Sequence, residues 1–310
     1  MDFSELTCYI EQADTITLFR HANPDCDASG SQFGMKNWLN TNYPDKKVYA
    51  IGNDVNSQSY FGDSDTVSDD VIKGSLAIVL DTANIGRIDD PRALTASRIL
   101  KIDHHPDYEP FGDDKYVDVK AAATCEILAD YFHWTGKEIS HETAVCLYKG
   151  ILTDTLCFRT SNTTSNTLLA ASYLAACGLN IPEINRDLFD QDLHDFRVAS
   201  YIRANVTIHD RFAYLIIPYR TLQEWQLTPS QARNFIDEIG HVTDFTVWAI
   251  ITENDKGLYD GSLRSKYADI SVTARKFGGG GHKNACGVKD LEEKTMYSLL
   301  EELYMTSGKD

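Results

Sequence analysis

His21, Asp25 and Asp27 fall inside the run His21-Ala22-Asn23-Pro24-Asp25-Cys26-Asp27-Ala28-Ser29-Gly30. One imidazole and two carboxylates this close in sequence can face a single point, and Pro24 stiffens the turn that carries them. The same ligand types recur at three places. Asp81 directly follows the apolar run Leu76–Leu80, Asp103-His104-His105 follows Arg98–Ile102, and Asp154 closes the stretch Gly150-Ile151-Leu152-Thr153. Taken singly, each has a plainer reading. Asp27 could cap a helix, the Asp-His-His triplet could be a surface cluster, and Asp154 could be a helix-terminal acid. Together they say more. Asp25, Asp27, Asp81 and Asp154 carry four negative charges, which two divalent cations would neutralise; alone, converging carboxylates repel and some must bind protons. His21 and His104 complete a six-ligand, two-metal set. Oxygen and imidazole donors without thiolate suit Mn²⁺, Mg²⁺ or Co²⁺ better than structural Zn²⁺. Paired cations recur in phosphoester hydrolysis because they clamp both the attacking and the leaving oxygen.

Such residues must be delivered to one place by the elements around them. Thr15–Phe19, Val48–Ile51, Leu76–Leu80 and Arg98–Ile102 read as strands, being rich in β-branched and aliphatic residues. Ser29–Asn40, Ala121–Trp134, Thr143–Thr153 and Thr167–Ala176 read as helices. The alternation predicts an α/β domain, a mainly parallel sheet flanked by helices. Ligands of such sheets bind beyond the carboxyl ends of the strands, where His21, Asp81 and the Asp103 triplet fall. Ile184–Arg203 reads as one connecting helix. Beyond it, Val206–Ile208, Ala213–Pro218, Phe245–Thr252 and Leu258–Leu263 read as strands, with helices near Pro229–Ile239 and Met296–Tyr304. That pattern predicts a smaller α+β domain. The expected division is a catalytic domain over 1–185, a connector over 186–204 and a second domain over 205–310, with the active site in the cleft between the two domains.

Composition narrows the class. The 310 residues are 43% hydrophobic and 24% charged, which is globular and long enough for two domains. A net charge of −17 excludes the broad basic face of a duplex-DNA binder but leaves room for a small basic pocket. The longest apolar stretches, such as Leu168–Leu179, fall short of a membrane span, and residues 1–20 lack a basic start with an apolar core. A cytoplasmic protein without membrane contact is the expectation. The seven cysteines form no CxxC pair and read as reduced thiols, with Cys26 a spacer between two aspartates.

One basic island stands out near the C-terminus. Arg264, Lys266, Arg275, Lys276 and Lys283 face one acid, Asp269, and the run Gly278-Gly279-Gly280-Gly281-His282 lies among them. Consecutive glycines let backbone N–H groups approach phosphate oxygens or a base, and an arginine such as Arg264 can grip a phosphate bidentately.

The H-x-N-P-D-x-D run at His21–Asp27, the lone Asp81, Asp103-His104-His105 and Asp154 resemble, in order, the four motifs of the DHH phosphoesterase family. The Gly278–His282 run, with Asn284 and Gly287, resembles the glycine-rich motif of the DHH-associated C-terminal domain. The resemblance covers essentially the whole chain and is nearest to the stand-alone bacterial nano-RNases and dinucleotide phosphodiesterases. It implies one metal held by His21, Asp25 and Asp81, and another by Asp27, Asp81, His104 and Asp154, with Asp81 bridging. His105 would contact the scissile phosphate, and Asp103 would orient the histidines. Gly279, Gly280, Gly281, His282, Asn284 and Arg264 would bind substrate. Cys26 and Ser29 vary inside the first motif, and Leu156 stands where relatives commonly place glycine. The implied activity is Mn²⁺-dependent hydrolysis of very short single-stranded RNA or of linear dinucleotides such as pApA. Alternatives are hydrolysis of 3′-phosphoadenosine 5′-phosphate or cyclic di-AMP, an inorganic pyrophosphatase, which the glycine motif argues against, and a silent nucleotide sensor, which has no need of six ligands. A homodimer is left open.

Overall fold

The computed structural model describes residues 2–53 and 61–308. The chain divides into two compact units, Met1–Asp190 and Gln191–Asp310. In the first, strands β1 (Thr15–Phe19), β2 (Lys47–Ala50), β3 (Leu76–Leu80), β4 (Arg98–Asp103) and β5 (Asp114–Val117) form a parallel sheet in the order β2-β1-β3-β4-β5. Its helices are α1 (Ser4–Gln12), α2 (Cys26–Asn42), α3 (Asp69–Lys73), α4 (Thr124–Thr135), α5 (His141–Asp154), α6 (Ser165–Ala175) and α7 (Ile181–Phe189).

Every residue of β3, Leu-Ala-Ile-Val-Leu, is buried, as a central parallel strand covered on both faces requires. Ile16, Leu18, Ile78, Leu80, Leu100 and Ile102 pack on one face against Met35, Trp38, Leu128 and Leu147. Phe19, Ala77 and Val79 pack on the other with Ile72, Ile88 and Phe111. Trp38 stacks on Phe132 with ring centroids 4.4 Å apart, locking α2 against α4. Each such large side chain stabilises the fold by about 1.5–3 kcal/mol through burial. Strand order reverses between β1 and β3, and that switch point marks where a ligand crevice opens.

The expected strands of this unit form. β5 was not expected, because Asp114-Lys115-Tyr116-Val117 is a polar edge strand that buries only Tyr116. The helix expected from Ala121 begins three residues later, at Thr124. The connector read as one helix is two: α7 ends before Asp190, and α8 (Leu193–Asn205) starts afresh where Asp192 caps it by accepting from the Asp195 amide at 2.8 Å.

The second unit holds β6 (Thr207–His209), β7 (Phe212–Ile217), β8 (Val247–Glu253), β9 (Tyr259–Ser265), β10 (Gly280–His282) and β11 (Ala285–Leu291) in the order β10-β11-β9-β8-β7-β6. Only β7 and β8 pair in parallel. Helices α9 (Tyr219–Glu224), α10 (Pro229–Arg233) and α11 (Asp237–Gly240) cover one face of this sheet through Leu222, Ala232 and Ile239, joined by Ile236 of the 3-10 turn Asn234–Ile236, on Leu215, Ile217, Trp248 and Ile250. Helices α12 (Ser271–Lys276) and α13 (Glu293–Ser307) cover the other, with Met296, Leu299 and Leu303 on Val247, Ala249, Leu263 and Cys286. Among the described residues, no helix is long and apolar enough to cross a membrane.

Candidate metal centre

The turn after β1 is built by its own carboxylates. Asp25, not Asp27, caps α2: its Oδ1 accepts from the amides of Asp27 and Ala28, each at 3.0 Å. Asp27 sits in the first turn, fully buried, and reaches the N-terminus of α4. Its Oδ2 accepts from the Thr124 amide at 2.7 Å and its Oδ1 from the Cys125 amide at 2.9 Å, where the helix dipole favours negative charge. This placement needs α2 and α5 to approach closely. A Cβ on Gly150 would lie 2.4 Å from Cys125 Sγ and 3.0 Å from Asp27 Oδ1, and one on Gly30 would lie 2.5 Å from the Cys146 carbonyl. With Asp27 beside Gly150 and Gly30 beside Cys146, the helices run in opposite directions. The end of α5, carrying Asp154, therefore meets the start of α2.

Asp81 follows β3 in the left-handed backbone region, at φ 50°, with its amide donating to Ile102 O at 3.0 Å. Aspartate tolerates that conformation better than most residues. The turn aims the carboxylate in two directions. Oδ2 lies 3.5 Å from His21 Nε2, and Oδ1 lies 3.5 Å from His104 Nε2 while accepting from the Thr124 hydroxyl at 3.1 Å. His21 Nε2 is also 3.6 Å from Asp25 Oδ2. His104 Nε2 is 3.4 Å from Asp154 Oδ2 and 3.9 Å from Asp27 Oδ2. His21, Asp25 and Asp81 thus form one group of facing ligand atoms, and Asp27, His104 and Asp154 a second, with Asp81 touching both.

These separations mostly exceed hydrogen-bond lengths and suit donors arranged around a cation. His21 Nδ1 lies 3.0 Å from the Ala22 carbonyl, so the proton of the neutral ring sits there and the Nε2 lone pair faces the carboxylates. The oxygen and imidazole donor set fits a hard or borderline divalent ion, and the electrostatics agree. Burial, then the charges of Asp81 and Asp154, push Asp27 well above the usual carboxylate range. Burial, then Asp81 and Asp25, raise Asp154 to about 7. Burial opposes protonation of His21, yet the carboxylates of Asp25 and Asp81 facing it outweigh that and lift it to about 10. Left to themselves, these groups hold protons where cations would satisfy them.

The two adjacent histidines are in unlike settings. Burial, the largest influence, pulls His104 below its ordinary value and favours the neutral ring of a metal ligand. His105 Nδ1 bonds to Asp103 Oδ1 at 2.8 Å, and that hydrogen bond raises it, favouring the imidazolium. His105 Nδ1 also lies 3.5 Å from Asp81 Oδ1, but its engagement with Asp103 sets it apart from His104. Asp103 Oδ1 also accepts from the His105 amide at 3.1 Å, and among the described residues no hydrogen bond joins it to His104. Behind it, fully buried Lys101 lies 3.2 Å from Asp103 Oδ2 and donates to Asp107 at 2.9 Å and to the Ala83 carbonyl at 3.0 Å.

In the second unit, strand register puts Arg264 opposite Ala285 and Ala285 opposite His282. Directly opposed residues share a sheet face, so Arg264 and His282 flank a small alanine on one side of β9-β11-β10. Gly280, Gly287 and Ser262 form the adjacent row, and nothing lies within 4 Å of where a Cβ on Gly280 would sit. Gly279 and Gly281 have a packing reason instead: a Cβ would lie 2.2 Å from the Gly287 carbonyl and 2.4 Å from the Ala285 carbonyl, respectively. Asn284 spends its amide donors on Ser265 Oγ at 2.9 Å and the Ala268 carbonyl at 3.3 Å, so it pins the turn before β11 and offers no free donor to a ligand.

Residues 15–151 match the DHH family N-terminal domain and residues 210–305 match the DHHA1 domain. The chain is 35% identical over 305 residues to a probable bifunctional oligoribonuclease and PAP phosphatase NrnA of Streptococcus mutans, covering 97% of this chain and 98% of that one. The chain belongs to the DHH family. Another DHH relative, the bifunctional oligoribonuclease and PAP phosphatase NrnA of Bacillus subtilis, is also 35% identical, over 92% of each chain. The crystal structure of an exopolyphosphatase-related protein from Bacteroides fragilis shares the fold, with a TM-score of 0.85 at 23% identity over 99% of this chain and 97% of that one. DHH phosphoesterases are metal-dependent, in keeping with the acidic and histidine groups gathered here.

Against the DHH pattern, Leu156 has a structural consequence. Leu156, Cys157 and Phe158 are consecutive left-handed residues at φ 47°, 59° and 64°, costing roughly 1–2 kcal/mol each for L-residues. Thr155 holds the turn, donating to Ile151 O at 2.6 Å and accepting from the Phe158 amide at 3.0 Å. Leu156 itself is exposed, so no ligand is displaced. Two further residues emerge only from the structure: Thr124, which touches Asp81 and Asp27, and Lys101. A lysine inside the strand Arg-Ile-Leu-Lys-Ile-Asp was the one available signal for Lys101.

The raised carboxyls make a pH prediction. A carboxyl whose folded value exceeds its unfolded one contributes stability below about pH 4 and loses it as pH rises through the folded value, here about 7 for Asp154. In chelator, Asp154→Asn should therefore melt clearly above the parent protein at pH 8 and much closer to it at pH 5. Equal gaps at both pH values would contradict this electrostatic picture.

Proposed function

We propose that this chain is a two-metal phosphodiesterase that hydrolyses very short oligonucleotides and linear dinucleotides such as pApA to nucleoside 5′-monophosphates. The observation that carries the reading is Asp81, whose two oxygens face the histidines of two separate ligand groups. His21, Asp25 and Asp81 would hold one ion, and Asp27, Asp81, His104 and Asp154 the other. The donor set favours Mn²⁺, with Mg²⁺ or Co²⁺ as substitutes. Bound there, the cations would supply Lewis-acid activation of the phosphoryl group and of water. His105, whose Nδ1 is held by Asp103, would give a proton to the departing sugar oxygen as the P–O bond breaks and the oxygen of water bonds to phosphorus. Lys101 holds the far oxygen of Asp103 and so fixes the ring.

In this reading residues 1–185 carry catalysis, 186–204 connect, and 205–310 bind substrate. The face bearing Arg264 and His282 holds a nucleobase or terminal phosphate, and the acidic remainder of the chain disfavours duplex DNA. The protein acts in the cytoplasm. The names of the Streptococcus mutans and Bacillus subtilis relatives support a second activity, removal of a phosphate from 3′-phosphoadenosine 5′-phosphate.

A panel of pApA, cyclic di-AMP, 3′-phosphoadenosine 5′-phosphate, a short RNA and a DNA duplex, offered at equal concentration with Mn²⁺, tests the proposal. Chromatography should show AMP from pApA as a leading product and no duplex cleavage. Absence of any phosphoester turnover would refute it. Arg264→Ala and His282→Ala should keep their metals and still cleave bis-p-nitrophenyl phosphate. On pApA they should lose roughly ten- to a hundredfold in efficiency, the weight of a charge-assisted contact. Equal losses on both substrates would assign these residues to chemistry or folding instead.

A further inference from the structure

We infer that Arg87 is a phosphate-binding residue at the rim of the metal centre, gripping the substrate's phosphoryl oxygens; the inference rests on the phosphodiesterase reading above. Arg87 ends a short 3-10 turn, Ile85–Arg87, six residues beyond Asp81. Its carbonyl accepts from the Ala22 amide at 2.8 Å, Ile88 bridges His21 in antiparallel fashion, and the Asp89 amide donates to the Arg20 carbonyl at 3.0 Å. Residues 87–89 are thus zipped along 20–22. Ile88 is buried and anchors the segment, while Arg87 is exposed beside the loop that carries His21.

The guanidinium has no hydrogen bond or ion pair among the described residues. Nearby acids are engaged elsewhere: Asp90 is held by Arg92 at 2.7 Å, and Asp89 Oδ2 accepts from the Asn53 amide at 2.6 Å.

Charge accounting gives this arginine its purpose. Two divalent cations would only neutralise Asp25, Asp27, Asp81 and Asp154, and Lys101 already offsets Asp103. That leaves an anion little beyond His105 to attract it. A guanidinium on an anchored stretch of backbone, with its donors unused, supplies that attraction and matches the two non-bridging oxygens of a phosphodiester. Lysine would replace the charge but not the paired geometry.

The test compares wild type, Arg87→Ala and Arg87→Lys, each loaded with Mn²⁺. Metal content and melting temperature are measured, AMP binding by calorimetry, and pApA hydrolysis by steady-state kinetics. Both variants should keep wild-type metal content and melting temperature. In Arg87→Ala, AMP affinity should fall and KM for pApA should rise by about ten- to a hundredfold, with Arg87→Lys recovering part of each. AMP affinity and KM within twofold of wild type in Arg87→Ala would overturn the inference, as would loss of metal from that variant. A wild type that binds AMP through Arg87 yet hydrolyses nothing would defeat the functional reading and leave the contact standing.

Discussion

Asp81→Ala should abolish hydrolysis of pApA and leave the protein with fewer than two tightly held ions. The expectation follows from the geometry of one side chain. Oδ2 faces His21 and Oδ1 faces His104, each at 3.5 Å, and among the described residues no other carboxylate touches both ligand groups in this way. Its loss removes a donor from each group at once and leaves Asp25 on one side and Asp27 with Asp154 on the other. Fold integrity is checked in the same samples by the melting transition, since Asp81 also accepts from Thr124. A folded Asp81→Ala protein with near-normal turnover would refute the bridging role.

The second large effect separates two adjacent histidines. His104→Ala should lower metal occupancy, because His104 Nε2 faces Asp27, Asp81 and Asp154 and its ring is held neutral by burial. His105→Ala should keep both ions and slow the chemical step by about 10²–10⁴-fold, the usual weight of general acid help. Asp103 distinguishes the pair physically, since it hydrogen-bonds His105 and not His104. Metal analysis beside single-turnover rates reads both roles. Metal loss in His105→Ala with full occupancy in His104→Ala would reverse the assignment.

Much of this centre was legible in the sequence because parallel sheets deliver ligands at the carboxyl ends of apolar strands. Leu76–Leu80 followed by an acid and Arg98–Ile102 followed by Asp-His-His are patterns that announce themselves. What stayed hidden depends on contacts between distant segments. The cap of α2 is Asp25 because the amides of α4 claim Asp27 from nearly a hundred residues away, and nothing local distinguishes the two aspartates. The same contact explains why α4 starts at Thr124 and not Ala121: its first amides are spent on Asp27. The left-handed backbone of Asp81 leaves no trace in composition. In the second unit the glycine run read as backbone open to a phosphate or base, whereas Gly280–His282 is a strand, and Gly279 and Gly281 are required by packing against β11. Arg264 and His282 were identified from type and charge, but only strand register shows that they share a face.

Titrating metal-free protein with Mn²⁺ while following pApA hydrolysis tests the two-metal account most directly. Activity should be absent in chelator, rise cooperatively and reach its plateau at two equivalents per chain. Full activity at one equivalent, or turnover without any divalent ion, would contradict it.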